Sequence, residues 1–565
     1  MVIPQKPTAT DVLTIGLEDY FQVGAFDRLI PRRRWDRFES RLERNTRRTL
    51  ALLDQYEIRA TFFVLGWIAE RMPDLVRDIA RRGHEIANRG YDHRCVRGMS
   101  PGAFRDDLQR SHEALERASG TRVLGYRVGR QPFTSREFWA LEILAQEGYV
   151  YDSSVVPRYW TGCGLARQRH MGYHHLGTQA LWEFPFATWH GLGWPLPIAG
   201  GNYFRQLPHT LVKRAVAAWH RRYDAPFVMY FHVWELDAQQ PRIAGASRLS
   251  KLRHYRNLEK MTWVLKDYFQ HYSFGSIADY LGLDRRLDAG VDDSGHRVWP
   301  RDIPARLQAP APVPGDEPAG VPVSVVVPCF NEAPVLPYLA RTLEQVEAAL
   351  APAYALQFLF VDDGSTDATW ACLQSLFGDR TNCELLRHES NRGIAAGIMT
   401  GLRHATTDIV ASIDCDCSYD PGDLQTLLPL LTDGVAMVTA SPYHPEGEVM
   451  HVPVWRLALS KAASCLYRGV LRHKLYTYTS CFRVYRRQAV QGLVLRQAGF
   501  LGIVEMLGHL DQGGETIVEC PARLESRILG QSKMKVAVTA WAHLQLLARL
   551  LAHRLFAACT RMMKP

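Results

Sequence analysis

The spacing of hydrophobic residues divides the chain into two α/β segments separated by a proline-rich stretch. In the first segment, up to about residue 285, short apolar runs alternate with amphipathic ones. Residues 12–15 and 60–65 predict strands, whereas residues 38–56 and 73–82 predict helices, the second ended by Gly83. This alternation predicts a barrel-like or layered α/β domain.

The second segment has the pattern of a doubly wound parallel sheet. The β-branched run at residues 323–327 is typical of a buried strand, and further strands are predicted at residues 356–361, 383–386 and 408–413. Helices are predicted over residues 334–350 and up to residue 405. Polar side chains follow these strands, and because parallel strands end at one edge of a sheet, we expect a nucleotide site there. These residues are Asn331, Glu332, Asp362, Asp363, Asp414 and Asp416.

Asp414 and Asp416 directly follow the apolar run at residues 408–413. Two carboxylates one residue apart at the end of a strand point to the same side. Paired carboxylates suit a divalent cation that also carries phosphate oxygens. An isolated Asp-x-Asp is more often an ordinary acidic turn, and the acidic residues after the preceding strands favour the metal interpretation here.

The boundaries between the segments follow from proline. Seven prolines between residues 300 and 322 interrupt any helix or central strand, which is typical of a semi-extended linker. We therefore predict a first domain at residues 1–285, a linker at 286–321, a second domain at 322–540 and a C-terminal helix at 541–565.

Composition limits the classes of protein that fit. The chain has 565 residues, 47% of them hydrophobic and 22% charged, as expected of folded domains. The N-terminal residues lack a secretory pattern and no run of about 18 apolar residues occurs, so a cytoplasmic location is predicted. The 11 cysteines are scattered and are expected to be free thiols. The net charge of +9 is accompanied by no nucleic-acid motif, so no nucleic-acid partner is predicted.

The first domain resembles the polysaccharide deacetylases of carbohydrate esterase family 4, in the branch found in exopolysaccharide loci. The matching stretches are LTIGLEDYF at residues 13–21, GHEIANRGYDH at 83–93, GYR at 125–127, YDSS at 151–154, GGNYFR at 200–205 and FHVWE at 231–235. The resemblance implies a distorted (β/α) barrel. It also implies a divalent metal, usually zinc, held by one Asp and two His, with an Asp base and a His acid.

This sequence departs from the pattern of that family at three motifs. Gly16 replaces the Asp base, Arg89 replaces the first metal-binding His, and Val128-Gly129 replaces the end of an Arg-x-Pro motif. Because these losses are hard to compensate, we predict that the domain is catalytically silent and binds no Zn²⁺. The remnant site consists of Asp19, His93, Arg127 and His232. The alternative is a rearranged metal site made of Glu18, Asp19, Asp92 and His93.

The second domain resembles the family-2 glycosyltransferases of GT-A (Rossmann-like) fold, in particular dolichyl-phosphate mannose synthase-like enzymes. The matching motifs are VPCFNE at residues 327–332, VDDGSTD at 361–367, NRG at 391–393 and DCD at 414–416. The resemblance implies inverting transfer of a sugar from a nucleoside diphosphate sugar. Asp414 and Asp416 would then face the diphosphate and a Mg²⁺ or Mn²⁺ ion. The nucleotide-sugar contacts would come from Asn331, Glu332, Asp362, Asp363 and Asp414.

Basic residues downstream match the same family and are expected to bind phosphate groups of the donor or the acceptor. They are Arg456, Arg483, Arg527 and Lys533. Two acceptors stay open. A polyprenyl phosphate would attack through its own oxyanion, whereas a glycan hydroxyl would need a base, for which Glu505 is the candidate.

The predicted C-terminal helix carries Leu544, Leu547, Leu550, Leu551 and Leu555 on one side. It would either pack on the transferase core or attach peripherally to the inner face of the membrane. The leading hypothesis is a glycosyltransferase of cell-surface polysaccharide synthesis with a degenerate deacetylase-like domain. The alternatives are a bifunctional deacetylase and glycosyltransferase, and a non-enzymatic glycan-binding scaffold.

Overall fold

The computed structural model describes residues 11–156, 171–176, 179–189, 196–223, 225–285, 320–351, 353–452, 454–529, 543 and 545–551. The chain forms two compact units, which we call the N-terminal and the C-terminal unit. The N-terminal unit comprises Met1–Trp35, Ser40–Gln240 and Ser247–Gln308, and the C-terminal unit comprises Asp36–Glu39, Pro241–Ala246 and Ala309–Pro565. Only the last two positions of the predicted linker lie within the described residues.

The N-terminal unit contains a curled, mostly parallel sheet with helices between the strands. Its strands are β1 Asp11–Leu17, β2 Thr61–Val64, β3 Glu85–Asn88, β4 Gly125–Tyr126, β5 Tyr151–Asp152, β6 Gly172–Leu176, β7 Gln179–Glu183, β8 Thr188–Trp189, β9 Leu196–Pro197, β10 Val228–His232 and β11 Phe274–Gly275. Its helices are α1 Leu42–Gln55, α2 Gly66–Arg71, α3 Pro73–Arg81, α4 Pro101–Ser119, α5 Trp139–Gln146, α6 Asn202–Gln206, α7 His209–Arg222, α8 Arg248–Tyr255, α9 Leu258–His271 and α10 Ile277–Leu281.

The strands of this sheet run in the order β10-β1-β2-β3-β4-β5-β7-β6, and β11 also pairs with β1. All pairs are parallel except β6 with β7. Every residue of β1, β2 and β3 is buried, as expected where helices cover a parallel sheet. The carboxyl ends of β1, β3 and β10 bring residues 16–19, 89–93 and 232–235 to one edge.

Helix α1 begins at Leu42, four residues after the predicted start. The residues before it are held by Asp19, whose Oδ2 accepts hydrogen bonds from Ser40 Oγ at 2.7 Å and from the Arg41 N–H at 2.9 Å. This tertiary contact keeps the preceding residues out of the helix, although their local pattern is helical.

The C-terminal unit contains a doubly wound sheet, as the hydrophobic pattern predicts. Its strands are β12 Val321–Cys329, β13 Tyr354–Asp362, β14 Cys383–Arg387, β15 Ile409–Ser412, β16 Val435–Ser441, β17 Glu448–Met450, β18 Arg483–Arg486, β19 Thr516–Pro521 and β20 Arg523–Glu525. Its helices are α11 Leu336–Leu350, α12 Thr369–Phe377, α13 Ile394–His404, α14 Leu424–Leu427, α15 Val454–Val470, α16 Arg487–Val490 and α17 Phe500–Gly513.

The order of strands in this sheet is β14-β13-β12-β15-β18-β16-β19. The first four strands are parallel, β18 is antiparallel to both of its neighbours, and β16 and β19 are parallel. Along the chain, β13 and β14 are added on one side of β12, whereas β15 is added on its other side. The strand order therefore reverses between β12 and β15. In such sheets ligands bind outside the carboxyl ends of the strands at this reversal.

Residues 545–551 are helical and lie against the core of the C-terminal unit. Leu546, Leu547 and Leu550 are buried in a cluster that also contains Val504 and Leu507. Leu551 is exposed, while Leu544 and Leu555 lie outside the described residues. Within the described part, this helix therefore packs on the core, as one of its two interpretations predicts. No helix in the described part of the chain is long and apolar enough to cross a membrane.

Candidate functional site

Three strands of the C-terminal unit deliver the predicted site residues to one edge of the sheet. Cys329 pairs with Asp362, and Val326 pairs with Ser412. Because these strands are parallel and in register, the segments at residues 331–332, 362–363 and 414–416 all begin near the same level. The structure thus brings the nucleotide-binding candidates of three different motifs together.

Asn331 joins the loop after β12 to the loop after β13. It adopts a φ of +52°, which Asn tolerates better than most residues. Its Oδ1 accepts hydrogen bonds from the N–H groups of Thr366 at 2.7 Å and Asp367 at 3.2 Å. Its own N–H donates to Ser365 Oγ at 2.8 Å. The described contacts of this side chain hold the two loops together.

Arg527 links the two ends of the predicted donor site. Its Nη1 lies 2.7 Å from Glu332 Oε1, and its Nη2 lies 2.6 Å from Asp416 Oδ2. Burial alone would lower the pKa of the guanidinium, but the charges of Asp416 and Glu332 outweigh burial and raise it. Arg527 therefore lies between a carboxylate of the VPCFNE motif and one of the DCD motif.

Asp414 and Asp416 differ in their surroundings. Burial, and then the charge of Asp416, raise the pKa of Asp414 to about 7, against the lowering effects of Cys481 and Arg527. Asp416 instead accepts a hydrogen bond from the Ser418 N–H at 2.9 Å and has Arg527 beside its other oxygen. Two carboxylates whose negative charges oppose each other fit a cation between them.

The donor set of this pair can be tested against Mg²⁺ or Mn²⁺. Both ions prefer oxygen ligands, and Mg²⁺ is commonly held by one or two carboxylates together with substrate phosphates. Among the described residues, no group of three or more His, Cys, Asp and Glu could hold a metal by itself. Asp414 and Asp416 therefore fit an ion whose remaining ligands come from a diphosphate and water.

Asp362 and Asp363 make different contacts. Asp363 accepts hydrogen bonds from the N–H groups of Arg392 and Gly393 at 2.8 and 2.7 Å. Asp362 is fully buried, with Oδ1 accepting from the Ser365 N–H at 3.1 Å and Oδ2 lying 3.1 Å from Arg387 Nε. The two carboxylates thus order the turns on either side of the predicted nucleotide site, and direct nucleotide contacts stay a prediction.

Glu505 and Arg483 have interior partners. Glu505, in α17, accepts hydrogen bonds from the N–H groups of Arg496 at 3.0 Å and Gln497 at 2.8 Å. Arg483 is fully buried and donates to the carbonyl oxygens of Ile503 at 2.7 Å and Tyr478 at 2.8 Å. These bonds engage Oε2 of Glu505 and both Nη atoms of Arg483, and the roles as base and as phosphate ligand stay predictions. Lys533 and the side chain of Arg456 lie outside the described residues.

Sequence reasoning did not identify His388, which directly follows β14. Its Nδ1 lies 2.7 Å from Asp363 Oδ1, and its Nε2 lies 2.9 Å from Thr400 Oγ1. It also did not identify the contact between Cys329 and Cys415, whose sulfurs are 3.5 Å apart beside Asp414. The position of His388 one residue after a strand, at the same edge as Asp363, is the signal that could have revealed it.

In the N-terminal unit, the remnant deacetylase motifs converge on Glu18. Its Oε2 lies 3.2 Å from Arg89 Nη2 and 3.1 Å from His93 Nε2, and its Oε1 lies 2.9 Å from His232 Nδ1. Burial alone would raise the pKa of Glu18, but Arg89, His232 and His93 outweigh burial and hold it well below the usual value. A guanidinium therefore neutralises the carboxylate that the two imidazoles share.

Asp19 does not join this cluster, and the alternative of a rearranged metal site stays a prediction. Besides Ser40 and Arg41, the Asp19 carboxylate binds the Tyr20 N–H at 3.0 Å, and burial raises its pKa to about 6. Asp92 is paired with Arg94 at 3.0 Å. Asp19 and Asp92 thus have partners outside the group formed by Glu18, His93 and His232.

Gly16 and Arg127 lie in closely packed surroundings at the remnant site. A Cβ atom on Gly16 would lie 2.2 Å from His232 Nδ1 and 3.2 Å from Arg89 Nη1, so the other groups fill the space of a side chain here. Arg127 is buried and donates to Thr14 Oγ1 at 3.0 Å and Ser153 Oγ at 2.8 Å. Burial lowers the pKa of Arg127 to about 9. These residues do not fit a zinc ion with an adjacent base.

Three protein-family models match the chain in succession. Residues 34–151 match the polysaccharide deacetylase family, residues 153–282 match a domain of unknown function (DUF3473), and residues 324–494 match glycosyl transferase family 2. The chain thus combines a region that matches the polysaccharide deacetylase model with a later region that matches glycosyl transferase family 2. The predicted fold class, a deacetylase-type barrel followed by a GT-A domain, is confirmed.

The particular relatives of the glycosyltransferase unit act on polyprenyl phosphates, according to their names. Polyprenol monophosphomannose synthase of Mycolicibacterium smegmatis is 29% identical over 232 residues, which are 39% of this chain and 85% of the relative. Dolichol-phosphate mannosyltransferase of Pyrococcus furiosus is 26% identical over 215 residues, which are 38% of this chain and 59% of the relative. Undecaprenyl-phosphate mannosyltransferase of Micrococcus luteus is 27% identical over 233 residues, 39% of this chain and 93% of the relative.

Solved structures similar to each unit have low overall superposition scores. A protein assigned as a polysaccharide deacetylase from Mycobacterium smegmatis is 22% identical, covers 52% of this chain and 97% of its own, and has a TM-score of 0.32. Glucosyl-3-phosphoglycerate synthase of Mycobacterium tuberculosis, in complex with Mn²⁺, uridine diphosphate and glucosyl-3-phosphoglycerate, is 18% identical. That structure covers 41% of this chain and 80% of its own, with a TM-score of 0.32.

Proposed function

We propose that the C-terminal unit is a metal-dependent inverting glycosyltransferase that moves a sugar from a nucleoside diphosphate sugar to a polyprenyl phosphate. The observation that carries the proposal is the grouping of Glu332, Asp414, Asp416 and Arg527 at the carboxyl edge of the parallel strands. The family-2 match and the three polyprenyl-phosphate mannosyltransferases support the same reaction. Synthesis of a cell-surface polysaccharide is the process that fits such a product.

The residues of the site would have separate roles in binding the metal and the nucleotide. Asp414 and Asp416 would hold Mg²⁺ or Mn²⁺, which would supply positive charge to the departing diphosphate. Asn331 and Asp363 hold the loops that form the nucleotide site, through the N–H groups of residues 366–367 and 392–393. Glu332 follows β12, the strand between β13 and β15, and the base and ribose of the nucleotide would bind beside it.

A phosphate acceptor agrees with the surroundings of Glu505. A sugar hydroxyl needs a base to remove its proton, whereas a phosphate oxyanion is already a nucleophile. The Oε2 of Glu505 accepts hydrogen bonds from two main-chain N–H groups, so this oxygen is already engaged within the protein. The reaction with a polyprenyl phosphate requires no proton transfer to this residue.

The test of this function is the release of nucleoside diphosphate from a panel of nucleoside diphosphate sugars, with undecaprenyl phosphate and Mn²⁺ present. Asp416→Asn is expected to lower turnover by roughly 100-fold or more, because it removes a carboxylate that would hold the metal beside the diphosphate. Asp433→Asn is the matched control, since the side chain of Asp433 is fully exposed. Turnover of Asp416→Asn at the wild-type level would contradict the proposed metal role.

For the N-terminal unit, we propose a deacetylase-like module without catalysis and without bound zinc. Its support is the position of Arg89 against Glu18, together with the missing carboxylate at Gly16. The test is acetate release from acetylated glycans by the full chain. Release that disappears in the His93→Ala, His232→Ala double variant would contradict the proposal and favour a bifunctional enzyme.

We also propose peripheral association with the inner face of the membrane, since the lipid part of a polyprenyl phosphate stays in the bilayer. Residues 545–551 contribute their leucines mainly to the core, so contact through this helix alone is not required. Flotation of the full chain with vesicles that contain anionic lipid is the test. A chain that stays at the bottom of the gradient with both anionic and neutral vesicles would contradict association.

A further inference from the structure

Arg527 occupies an unusual position for a residue expected to bind phosphate. Both ends of its guanidinium contact carboxylates, at 2.7 Å to Glu332 and 2.6 Å to Asp416. These carboxylates belong to loops that follow different strands, β12 and β15. One guanidinium therefore neutralises the nucleotide end and the metal end of the proposed donor site at once.

The three side chains are largely sheltered from water. Exposed fractions are 24% for Arg527, 9% for Glu332 and 11% for Asp416. In such surroundings, attraction between opposite charges and repulsion between like charges are both stronger than at an open surface. A divalent cation at Asp416 Oδ2 would meet a positive charge only a hydrogen bond away. The guanidinium and the divalent ion therefore compete for the same oxygen.

The backbone next to Arg527 is anchored, so a change of partner can be made by the side chain. The Glu525 N–H donates to the Ser418 carbonyl at 2.9 Å, and the Ser526 N–H donates to the Met450 carbonyl at 3.1 Å. Ile528 and Leu529 on the other side are buried. Arginine has several rotatable bonds, and guanidinium groups bind phosphate oxygens well.

We propose that Arg527 is an internal counter-cation of the donor site, displaced from Asp416 when a divalent metal binds there and then available to a phosphate group. This inference rests on the proposed function and adds to it a defined competition between one side chain and the metal. It predicts that substitution of Arg527 has opposite effects on metal binding and on sugar transfer. Loss of Arg527 strengthens binding of the metal alone, but weakens sugar transfer because a phosphate ligand is missing.

The experiment measures binding of Mn²⁺ alone to the full chain by titration calorimetry, with the free-ion electron paramagnetic resonance signal as a second readout. Arg527→Gln is expected to bind Mn²⁺ about tenfold more tightly than the wild type, because a competing charge has been removed. Arg527→Lys keeps the charge on a shorter, single-point donor and is expected to fall between the two. Turnover of Arg527→Gln is expected to fall.

Arg523→Gln is the matched control. Arg523 lies four residues earlier and pairs with Glu448 at 2.5 Å, outside the proposed site. Its removal is expected to leave Mn²⁺ affinity unchanged. Thermal unfolding of each variant verifies that the changes in affinity arise in folded protein.

The outcomes separate this inference from the proposed function. Unchanged or weaker Mn²⁺ binding by folded Arg527→Gln overturns the competition, and so does absence of Mn²⁺ binding in both wild type and Arg527→Gln. If Asp416→Asn abolishes Mn²⁺ binding while Arg527→Gln does not strengthen it, the metal role stands and the competition fails. If Asp416→Asn retains Mn²⁺ affinity, the proposed metal site itself fails.

Discussion

Arg89 Nη2 lies 3.2 Å from Glu18 Oε2, and both side chains are almost completely buried. The carboxylate also has His93 and His232 within 3.1 Å. A zinc site of the deacetylase type needs a cation-free space between a carboxylate and two imidazoles. Here the guanidinium provides the positive charge beside the carboxylate that the two imidazoles share.

Substitution of Arg89 by Met is expected to lower the free energy of unfolding by about 3–5 kcal/mol, because it leaves Glu18 buried without its strongest partner. The double variant Arg89→Met, Glu18→Gln is expected to recover much of this loss. Urea unfolding measures both, and elemental analysis of the wild-type protein is expected to find no stoichiometric zinc. One zinc ion per chain in the wild type would contradict this assignment.

Substitution of Gly393 by Ala is expected to destabilise the nucleotide site. Gly393 has a φ of +103°, and an added Cβ would lie 2.6 Å from the Ala498 carbonyl oxygen. Gly434→Ala is the control, because its φ of +83° carries the same kind of backbone strain with no atom within 4 Å of the Cβ. We expect a loss of about 1 kcal/mol for Gly434→Ala and of more than about 2 kcal/mol for Gly393→Ala.

Binding of nucleoside diphosphate sugars provides the second readout for Gly393→Ala. The Gly393 N–H donates to Asp363, so a shift of this turn also moves that carboxylate. We therefore expect weaker donor binding in calorimetry for Gly393→Ala, and unchanged binding for Gly434→Ala. If the two variants have equal stability and equal donor binding, the close approach at residue 393 affects neither property.

The stability of the N-terminal unit is expected to decrease below neutral pH because of His254. This ring stacks on Trp234 at 4.1 Å and its Nε2 lies 2.9 Å from Gln240 Oε1. Burial, and then the charge of Arg205, lower the pKa of His254 from 6.5 to about 3. Between these values the unfolded state binds a proton that the folded state does not, so stability is complete above pH 6.5 and is lost as pH falls towards 3.

From this group alone, the loss between pH 7 and pH 5 is about 2 kcal/mol. The measurement is urea unfolding of the wild type and of His254→Gln at both values of pH. The variant lacks the titrating ring, so its stability is expected to fall less on acidification than that of the wild type. Equal pH dependence of the two proteins would contradict the shift.

The strand pattern and the edge of the sheet could be predicted because both depend on local sequence. The run at residues 323–327 lies in β12 and the run at residues 408–413 contains β15, and parallel strands necessarily bring their following residues together. The contact of Arg527 with Glu332 could not be predicted, because it joins residues 195 positions apart. No local pattern specifies which carboxylate such an arginine will reach.

The roles of Glu18 and Asp19 show a second limit. They are neighbours in the sequence, and the remnant site was predicted to contain Asp19. The structure places Glu18 against the two imidazoles, whereas Asp19 binds Ser40 and Arg41 at the start of the first helix. The direction of each side chain depends on how the chain turns after β1, and a loop has no fixed period from which that direction could be read.

The crowding at Gly16 has a consequence for substitutions at this position. A carboxylate at this position would require His232 to move, since even a Cβ atom would lie 2.2 Å from its ring nitrogen. Arg89, also close to that Cβ, would have to be replaced as well. A single mutation at position 16 would therefore leave both side chains close to the new one. The residues around Gly16 thus depend on one another, so that a larger side chain at this position calls for compensating changes at His232 and Arg89.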